Sequence, residues 1–181
     1  RWRDHFRPEA LALGMEGTGR AAGDVVKKRW LAERWKEAGR PDLALGLWNG
    51  IVRTEEATEE DLFQVGFLLQ RLGASRDAAG AYHRLLERDP LHPQGNYNLS
   101  LLRLAAGDTN AAVAGLRAAI DGDPRLRTAY FELGILHLQR GEAEAAREVF
   151  FDLLMNAEPD SALAMEVRAI LRGIAPSGKG R

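Results

Sequence analysis

A glycine recurs along this chain at a fixed interval of 34 residues. The four positions are Gly39, Gly73, Gly107 and Gly141. Two Asp-Pro pairs, which end at Pro90 and Pro124, are separated by the same interval. A constant period of roughly 20 to 50 residues is typical of proteins in which one small structural unit is copied and stacked. The period therefore restricts the fold to a repeat architecture.

The chain aligns with itself as four units without a gap. These units are residues 25–58, 59–92, 93–126 and 127–160. Five residues after each glycine there is an alanine: Ala44, Ala78, Ala112 and Ala146. Four residues further on there is a large apolar residue: Trp48, Tyr82, Leu116 and Phe150. Since the same chemistry returns in several columns of the alignment, we interpret the four units as copies of one structural element.

Each unit is predicted to form two amphipathic helices, because its apolar residues are three and four positions apart. The glycine can adopt the positive φ with which many helices end, so it would close the first helix. An acidic residue such as Asp77 or Asp108 then falls at the start of the second helix, where the helix dipole favours negative charge. Pro90 and Pro124 would end the second helix, since proline has no backbone N–H to donate. The sequence therefore predicts an all-α fold of helix pairs.

Residues 25–160 resemble the tetratricopeptide repeat family. The similarity rests on the 34-residue period, the turn glycines, the alanine and large apolar columns, and the Asp-Pro ends. It also includes two pairs in which an apolar residue precedes glycine, Val65-Gly66 and Leu133-Gly134. Three positions depart from the family pattern: Glu56, Ser100 and Arg103.

The resemblance implies an α-solenoid of antiparallel helix pairs, wound into a right-handed superhelix. It also implies that the first helix of every unit lines a concave groove in which a partner peptide lies. Outside the repeats, residues 161–174 are predicted to form a capping helix opened by Ser161, and residues 175–181 a flexible tail. Residues 1–24 are predicted to be an arm, in which the short helix "PEALALGM" precedes the glycine-rich linker "EGTGRAAGD".

The sequence contains no recognisable enzymatic site. It has no cysteine, which excludes disulfides, thiolate metal ligands and cysteine nucleophiles. Its four histidines form no pair at metal-ligand spacing and are expected to be exposed or partly packed, and no serine has the context of a catalytic nucleophile. "GTGRAA" (17–22) matches a loose dinucleotide-binding pattern, but no strand precedes it, so we interpret it as a connector. We expect a protein that is not an enzyme and needs neither a cofactor nor a metal ion.

Charge and composition argue against nucleic acid and membrane insertion. The net charge is −1, and the apolar runs are too short to span a bilayer. An RNA-binding array would carry basic residues in every unit, whereas the three arginines of unit 93–126 are balanced by three aspartates. Unit 25–58 has seven basic and five acidic residues, and unit 127–160 has three and seven. The basic stretch 27–30 is either a solvated helix face or a dock for an acidic partner segment.

Many of the positions that line the groove in the resembling family are apolar in this chain. The residues carried over are Arg29, Trp30, Phe63, Gln64, Phe67, Tyr97, Asn98, Leu101, Phe131 and Ile135. An exposed apolar stripe usually marks a binding surface. We therefore predict an adaptor that binds an apolar peptide or helix of another protein. In this prediction Gln64 and Asn98 bond the peptide backbone, and Arg29 attracts an acidic group.

The alternative is a self-associating scaffold, in which residues 1–24 or another copy of the chain fill the groove. The arm carries four large apolar side chains: Trp2, Phe6, Leu11 and Leu13. Recognition of a chaperone's terminal carboxylate is disfavoured. The family's carboxylate clamp uses positions on three successive first helices. When these positions are counted from the first repeat, only Arg29 has the expected residue type, and when they are counted from the second repeat, only Asn98 does.

We expect a soluble protein, and the sequence does not choose between cytoplasm and periplasm. The chain begins with Arg1 rather than methionine, which indicates a trimmed chain or a fragment, so a missing signal peptide carries no information. Frequent use of alanine, arginine and glycine indicates a GC-rich bacterial source.

Overall fold

In a computed structural model of the chain, residues 21–156 and 161–174 are described, and the regular structure within these ranges is helical. The helices are α1 Ala21–Glu37, α2 Pro41–Ile51, α3 Glu59–Arg71, α4 Ser75–Arg88, α5 Pro93–Ala105, α6 Thr109–Gly122, α7 Arg127–Gln139, α8 Ala143–Asn156 and α9 Ala162–Gly173. The prediction of an all-α fold is confirmed. The chain falls into two compact units, divided between Thr58 and Glu59.

Unit 1 consists of the helix pair α1 and α2. Nη2 of Arg29, at the middle of α1, donates a 2.7 Å hydrogen bond to the carbonyl of Glu56, beyond the end of α2. Because the two helices pack against each other and only residues 38–40 connect them, the pair is antiparallel. Its core is apolar: Val25, Leu31, Ala32, Ala44, Trp48 and Ile51.

The first helix begins at Ala21, four residues before the predicted repeat boundary. Residues 21–24, which the sequence analysis assigned to the glycine-rich linker, are therefore helical. Alanine is the strongest helix former, which favours a start at Ala21 and Ala22. Asp24 lies in the first turn, where the helix dipole favours its charge. The rest of the predicted arm lies outside the described residues.

Unit 2 contains three helix pairs, α3 with α4, α5 with α6 and α7 with α8, and then α9. Each second helix also packs against the next first helix, α4 against α5 and α6 against α7. One buried apolar cluster joins α6 to α7 and another joins α7, α8 and α9, and α9 packs against α8 through the buried side chain of Val167. The hydroxyl of Ser161 accepts a 3.2 Å hydrogen bond from the Ala164 backbone N–H at the start of α9. Residues 157–160, with Pro159, and the predicted tail lie outside the described residues.

The turn glycines adopt the predicted conformation in both units. Their φ angles are 72° at Gly39, 78° at Gly73, 82° at Gly107 and 74° at Gly141. All other amino acids are strained in this region, because their Cβ meets the neighbouring carbonyl oxygen. The glycine period is therefore the period of the turns that join the two helices of a pair.

The small residues of the first helices allow close helix contact, as predicted. A Cβ placed on Gly66 would lie 2.6 Å from Cε1 of Tyr82, and one on Gly134 would lie 2.5 Å from Cε1 of Phe150. At the third repeat, where Ser100 replaces the glycine, the glycine is on the partner helix instead. Gly115 of α6 lies directly against the Ser100 hydroxyl, which donates a 2.7 Å hydrogen bond to the backbone carbonyl of Asn96.

Candidate interaction surface

The predicted groove positions of unit 2 lie on α3, α5 and α7, the first helices of its three pairs. We call this set the first-helix face: Phe63, Gln64, Phe67, Tyr97, Asn98, Leu101, Phe131 and Ile135. The two apolar positions of each helix are four residues apart, so they lie on the same side of it. All of these side chains are half-buried except Gln64, which is only 9% exposed. The face is therefore a packed surface that leaves part of each apolar side chain in contact with solvent.

An aromatic cluster forms around Phe63. Its ring centroid is 6.2 Å from that of Phe67, 6.1 Å from Tyr82 and 5.5 Å from His92, and its plane is within 24° of both the Phe67 and the His92 ring planes. The Arg71 guanidinium carbon lies 5.9 Å from the Phe67 ring centroid, at cation–π distance. The half-buried rings of α3 and of the segment before α5 thus pack over the buried ring of Tyr82 on α4, with a cation beside them.

A chain of hydrogen bonds runs beneath this cluster. Nδ2 of Asn98 donates to the Tyr82 hydroxyl at 3.1 Å, and the hydroxyl donates to Oε1 of Gln70 at 3.1 Å. Burial of the phenol raises the pKa of Tyr82 to about 12, although the bond from Asn98 acts in the opposite direction. The hydroxyl therefore keeps its proton at neutral pH. A primary amide has a second N–H and a carbonyl oxygen, so Asn98 has further groups with which to bind a ligand.

Tyr97 lies on α5. Its ring packs against the core cluster that α6 and α7 form. Burial and the nearby charge of Glu132 raise the pKa of its hydroxyl, and a hydrogen bond with Thr128 opposes them. On α7, the Phe131 ring centroid is 6.3 Å from that of Phe150, and Ile135 packs against the same core. The apolar residues of the face are thus anchored in the core from below.

The environment of Gln64 does not fit its predicted role. The side chain is almost completely buried, and its Nε2 donates a 2.6 Å hydrogen bond to Oε1 of Glu60, one turn earlier in α3. Because position 64 faces the helix packing below the surface, its amide is bound within the protein. Of the two amides that the sequence predicted to bind a peptide backbone, Asn98 is the more accessible.

The two predicted groove residues of unit 1 differ in exposure. Arg29 is half-buried and bound to the carbonyl of Glu56. Trp30 is 54% exposed, with the Arg34 guanidinium carbon 5.5 Å from its ring centroid. The guanidinium that was predicted to attract an acidic group thus already has a partner within unit 1.

Sequence reasoning missed three residues that support the surface through their contacts: Gln70, Tyr82 and His92. Tyr82 was assigned to the core because it occupies the large apolar column, and its ring is indeed buried. The signal that could have indicated more is its hydroxyl, since a buried phenol usually has a hydrogen-bond partner. His92 caps α5, where its Nδ1 accepts a 3.1 Å hydrogen bond from the Gly95 backbone N–H.

A cleft of about 340 Å³ between α4 and α5 was not predicted. Its lining is mostly apolar: Ser75, Arg76, Ala79, His83, Leu99, Leu102, Arg103 and Ala106. Nη1 of Arg103, one of the departures from the family pattern, donates to the Ala111 carbonyl at 3.3 Å.

The histidines take three different environments, and His5 lies outside the described residues. His83 is exposed, and His92 is a half-buried helix cap. His137 is only 3% exposed, which differs from the expected surface or partly packed position. Its Nδ1 lies 2.5 Å from Oε2 of Glu142. Across the described ranges, no group of three or more histidine or carboxylate side chains is placed to hold a metal ion.

No helix in the described part of the chain has the length and apolar character needed to cross a membrane.

Two models of the tetratricopeptide repeat family match the chain, one over residues 68–125 and the other over residues 103–170. Among curated proteins, the TPR repeat-containing thioredoxin TTL4 of Arabidopsis thaliana is 30% identical over 145 residues, which are 80% of this chain and 19% of that protein. The chain spans only 19% and 24% of the two curated relatives that it matches. Both family models describe repeats, and neither indicates a catalytic activity.

Solved structures show the same fold. A tetratricopeptide repeat protein from Parabacteroides merdae superposes with a TM-score of 0.73 at 20% identity, over 83% of this chain and 59% of that one. YrrB, described as a TPR protein with an unusual peptide-binding site, gives a TM-score of 0.65 at 15% identity, over 80% and 74% of the two chains.

Helix pairs that stack through alternating second and first helices define this chain as an α-solenoid repeat protein. The matching family models, which together span more than half of its length, identify the repeat. The chain belongs to the tetratricopeptide repeat family.

Proposed function

We propose that this chain is a non-enzymatic interaction adaptor, whose first-helix face binds an apolar segment of a partner protein. The observation that most supports this function is the aromatic cluster around Phe63. Its rings are held by mutual contacts, yet Phe63 and Phe67 are only half-buried. Rigid aromatic surface that remains in contact with water loses little side-chain entropy when a partner covers it.

The chemistry of the face favours a segment with apolar side chains at intervals. Phe67 of α3, Leu101 of α5 and Ile135 of α7 present apolar surface on three successive first helices. Asn98 would bond a backbone amide of the segment with the groups that Tyr82 does not occupy. Aromatic anchors dominate the energetics of protein interfaces, and a single one is worth roughly 2 kcal/mol or more.

The proposal uses unit 2 alone. Partner binding by Arg29 and Trp30 of unit 1 stays a prediction, which the proposal does not need. YrrB, a protein of the same fold, has a peptide-binding site, which supports a similar role here.

A double substitution on the face tests the proposal. Peptides would first be selected on the immobilised chain from a random library. Their affinities would then be measured by calorimetry for the unaltered chain and for Phe67→Glu/Tyr97→Glu. We expect the double variant to lose at least about 100-fold in affinity, since two anchors worth roughly 2 kcal/mol each are replaced by charge.

A matched control places the same two charges elsewhere in unit 2. Leu91 and Phe151 are each 51% exposed and lie off the first-helix face, so Leu91→Glu/Phe151→Glu should leave affinity unchanged. Binding that survives in a folded Phe67→Glu/Tyr97→Glu variant would rule out the face. Light scattering over a range of concentration and salt tests the self-associating alternative, which predicts a mass that rises with concentration.

A further inference from the structure

The cleft between α4 and α5 is lined mostly by apolar side chains. Leu99 and Leu102 belong to α5, Ala79 belongs to α4, and Ala106 directly follows α5. The cleft volume of about 340 Å³ lies near the lower end of the range for small-molecule sites, roughly 300 to 1,000 Å³. The cleft is therefore large enough to hold a small ligand.

In the next repeat, larger side chains occupy the positions of the two alanines. Ala79 corresponds to Val113, 34 residues later, and Ala106 corresponds to Arg140. Val113 packs against the core cluster of α6 and α7. Nη1 of Arg140 donates a 3.0 Å hydrogen bond to Oδ1 of Asn110, which joins the residue after α7 to the start of α6. The opening between α4 and α5 therefore depends on its two alanines and is not required by the repeat fold.

Three basic side chains line the same cleft, and no acidic side chain is among its lining residues. The basic ones are Arg76, His83 and Arg103. Arg76 is exposed and makes no hydrogen bond or ion pair with any described residue. Arg103 uses one guanidinium N–H to bind the carbonyl of Ala111, and a guanidinium has four more. The cleft therefore combines apolar surface with positive charge that has no acidic partner within it.

The acidic residues nearest in sequence do not pair with these arginines. Neither Arg76 nor Arg103 has an acidic residue three or four positions away, where ion pairs form along a helix. Asp77 and Glu87 of α4 are exposed and lie outside the cleft lining. The carboxylate of Asp108 caps the start of α6. The positive charge of the cleft is therefore available to a ligand.

The cleft and the first-helix face occupy different sides of α5. An α-helix turns by about 100° per residue. The centre of Leu99, Leu102 and Arg103 therefore lies roughly 150° around α5 from the centre of the three face residues of that helix. A ligand in the cleft would leave the first-helix face free.

From the apolar lining and the arginines without acidic partners, we infer that this cleft binds a small amphipathic carboxylate, a molecule with a short alkyl chain and one carboxylate group. The alkyl chain lies against Ala79, Leu99 and Leu102, and the carboxylate pairs with Arg76 and Arg103. Guanidinium groups suit this role, because their parallel N–H groups match the two oxygens of a carboxylate. This goes beyond the proposed function, since it assigns a second site to another class of ligand.

Titration of the full chain with straight-chain carboxylates tests the site. Sodium hexanoate, octanoate and decanoate would be added below their micelle concentrations, and binding would be followed by calorimetry and by backbone amide NMR. Affinity should rise about fourfold with each methylene that the cleft buries. It should fall as salt is added, because salt screens the charge pair. Octylammonium, which has the same chain length and the opposite charge, should not bind measurably.

Substitutions locate the binding. Arg76→Gln removes a guanidinium that has no partner in the fold, and it should weaken octanoate binding about threefold to fivefold. Arg84→Gln is the matched control, since Arg84 is exposed on the same helix and lies outside the cleft lining, and it should leave the affinity unchanged. Ala79→Val introduces the side chain of Val113 and takes the place of about two ligand methylenes, so affinity should fall at least about tenfold. Far-UV circular dichroism would check that each variant is folded.

Three results would overturn the inference. Equal weakening by Arg76→Gln and Arg84→Gln would show a general attraction to positive surface. Octylammonium that binds as tightly as octanoate would show that the arginines do not select the ligand. Unchanged octanoate binding by a folded Ala79→Val variant would place the ligand elsewhere. Phe67→Glu/Tyr97→Glu should bind octanoate as the unaltered chain does, so this inference and the proposed function can fail separately.

Discussion

The side-chain amide of Asn98 on α5 donates a 3.1 Å hydrogen bond to the hydroxyl of Tyr82 on α4, in the preceding repeat. The same hydroxyl lies 3.1 Å from Oε1 of Gln70 at the end of α3, so three consecutive helices share one polar contact. Apolar packing tolerates small sliding movements, whereas hydrogen bonds of defined length and angle do not. This contact therefore fixes the position of two neighbouring repeats beneath the candidate binding face.

Removal of the Tyr82 hydroxyl should destabilise unit 2. Tyr82→Phe leaves the Asn98 amide and Gln70 without this partner while keeping the ring, so we expect a loss of roughly 1 to 3 kcal/mol in the free energy of unfolding. Urea denaturation followed by circular dichroism measures it. Tyr130→Phe is the control, since the Tyr130 hydroxyl has no hydrogen-bond partner among the described residues, and it should change stability little. Equal effects of the two substitutions would contradict the prediction.

Alanine should have opposite effects at two glycines of adjacent helices. Gly80 of α4 has no atom within 4 Å of an added Cβ, so Gly80→Ala should stabilise the helix by roughly 0.5 to 1 kcal/mol. Gly66 of α3 would place its Cβ 2.6 Å from the Tyr82 ring. Overpacking of a core costs about 1 to 3 kcal/mol, so Gly66→Ala should destabilise. Urea denaturation measures the free energy of unfolding of both variants. Stabilisation by Gly66→Ala would contradict the prediction and show that Tyr82 can move aside.

The features that could be predicted well from the sequence are those that every repeat requires for its own local structure. A turn with positive φ requires glycine in every copy, and the fully buried alanine column follows from close contact between paired helices. Ser100 shows the limit of this reasoning. It was identified as a departure from the pattern, but its compensation by Gly115 on the partner helix becomes visible only when the two helices are packed.

The detailed contacts of the first-helix face could not be predicted, because they are tertiary contacts that an alignment of the repeats does not reveal. The resemblance to the repeat family indicates which positions of a first helix line the groove, and Phe63, Gln64 and Phe67 were placed on one face for that reason. It does not indicate that Glu60 binds Gln64, or that His92 lies against Phe63. These contacts join residues with different identities in different repeats, so no repeated pattern records them.

The turn at Gly107 isolates the cost of backbone conformation. Its φ is 82°, and an added Cβ would meet no atom within 4 Å. A side chain at this position would therefore not clash with its neighbours, and only backbone strain would change the stability. Gly107→Ala should destabilise by roughly 1 to 2 kcal/mol, the cost of placing an L-residue in the left-handed region. Gly107→Asn should cost less, because asparagine tolerates this region better. Thermal unfolding compares the stabilities of the parent and the two variants. An alanine variant as stable as the parent would contradict the prediction.

Acid should weaken the contact between α7 and the start of α8. The hydrogen bond with His137 lowers the pKa of the Glu142 carboxyl below its ordinary value of 4.5, burial opposes this effect, and the charge of Arg140 adds to it. A carboxyl whose pKa is lower in the folded state stabilises the fold above the unfolded-state pKa, and this contribution disappears as the pH falls through the folded-state pKa. The contribution of this carboxyl to the thermal midpoint should therefore be constant above pH 4.5 and disappear as the pH is lowered below 4.5.

Glu142→Gln separates this pair from other carboxylates that titrate in the same range. Glutamine keeps the size of the side chain but cannot ionise, so the variant should lose part of the acid dependence and begin from a lower midpoint at neutral pH. Glu144→Gln, an exposed glutamate in the first turn of α8, makes the same change away from His137 and should retain the parent's dependence. Differential scanning calorimetry across the pH range measures all three. Parallel curves for the parent and Glu142→Gln would show that the short contact between Nδ1 of His137 and Oε2 of Glu142 contributes nothing to stability.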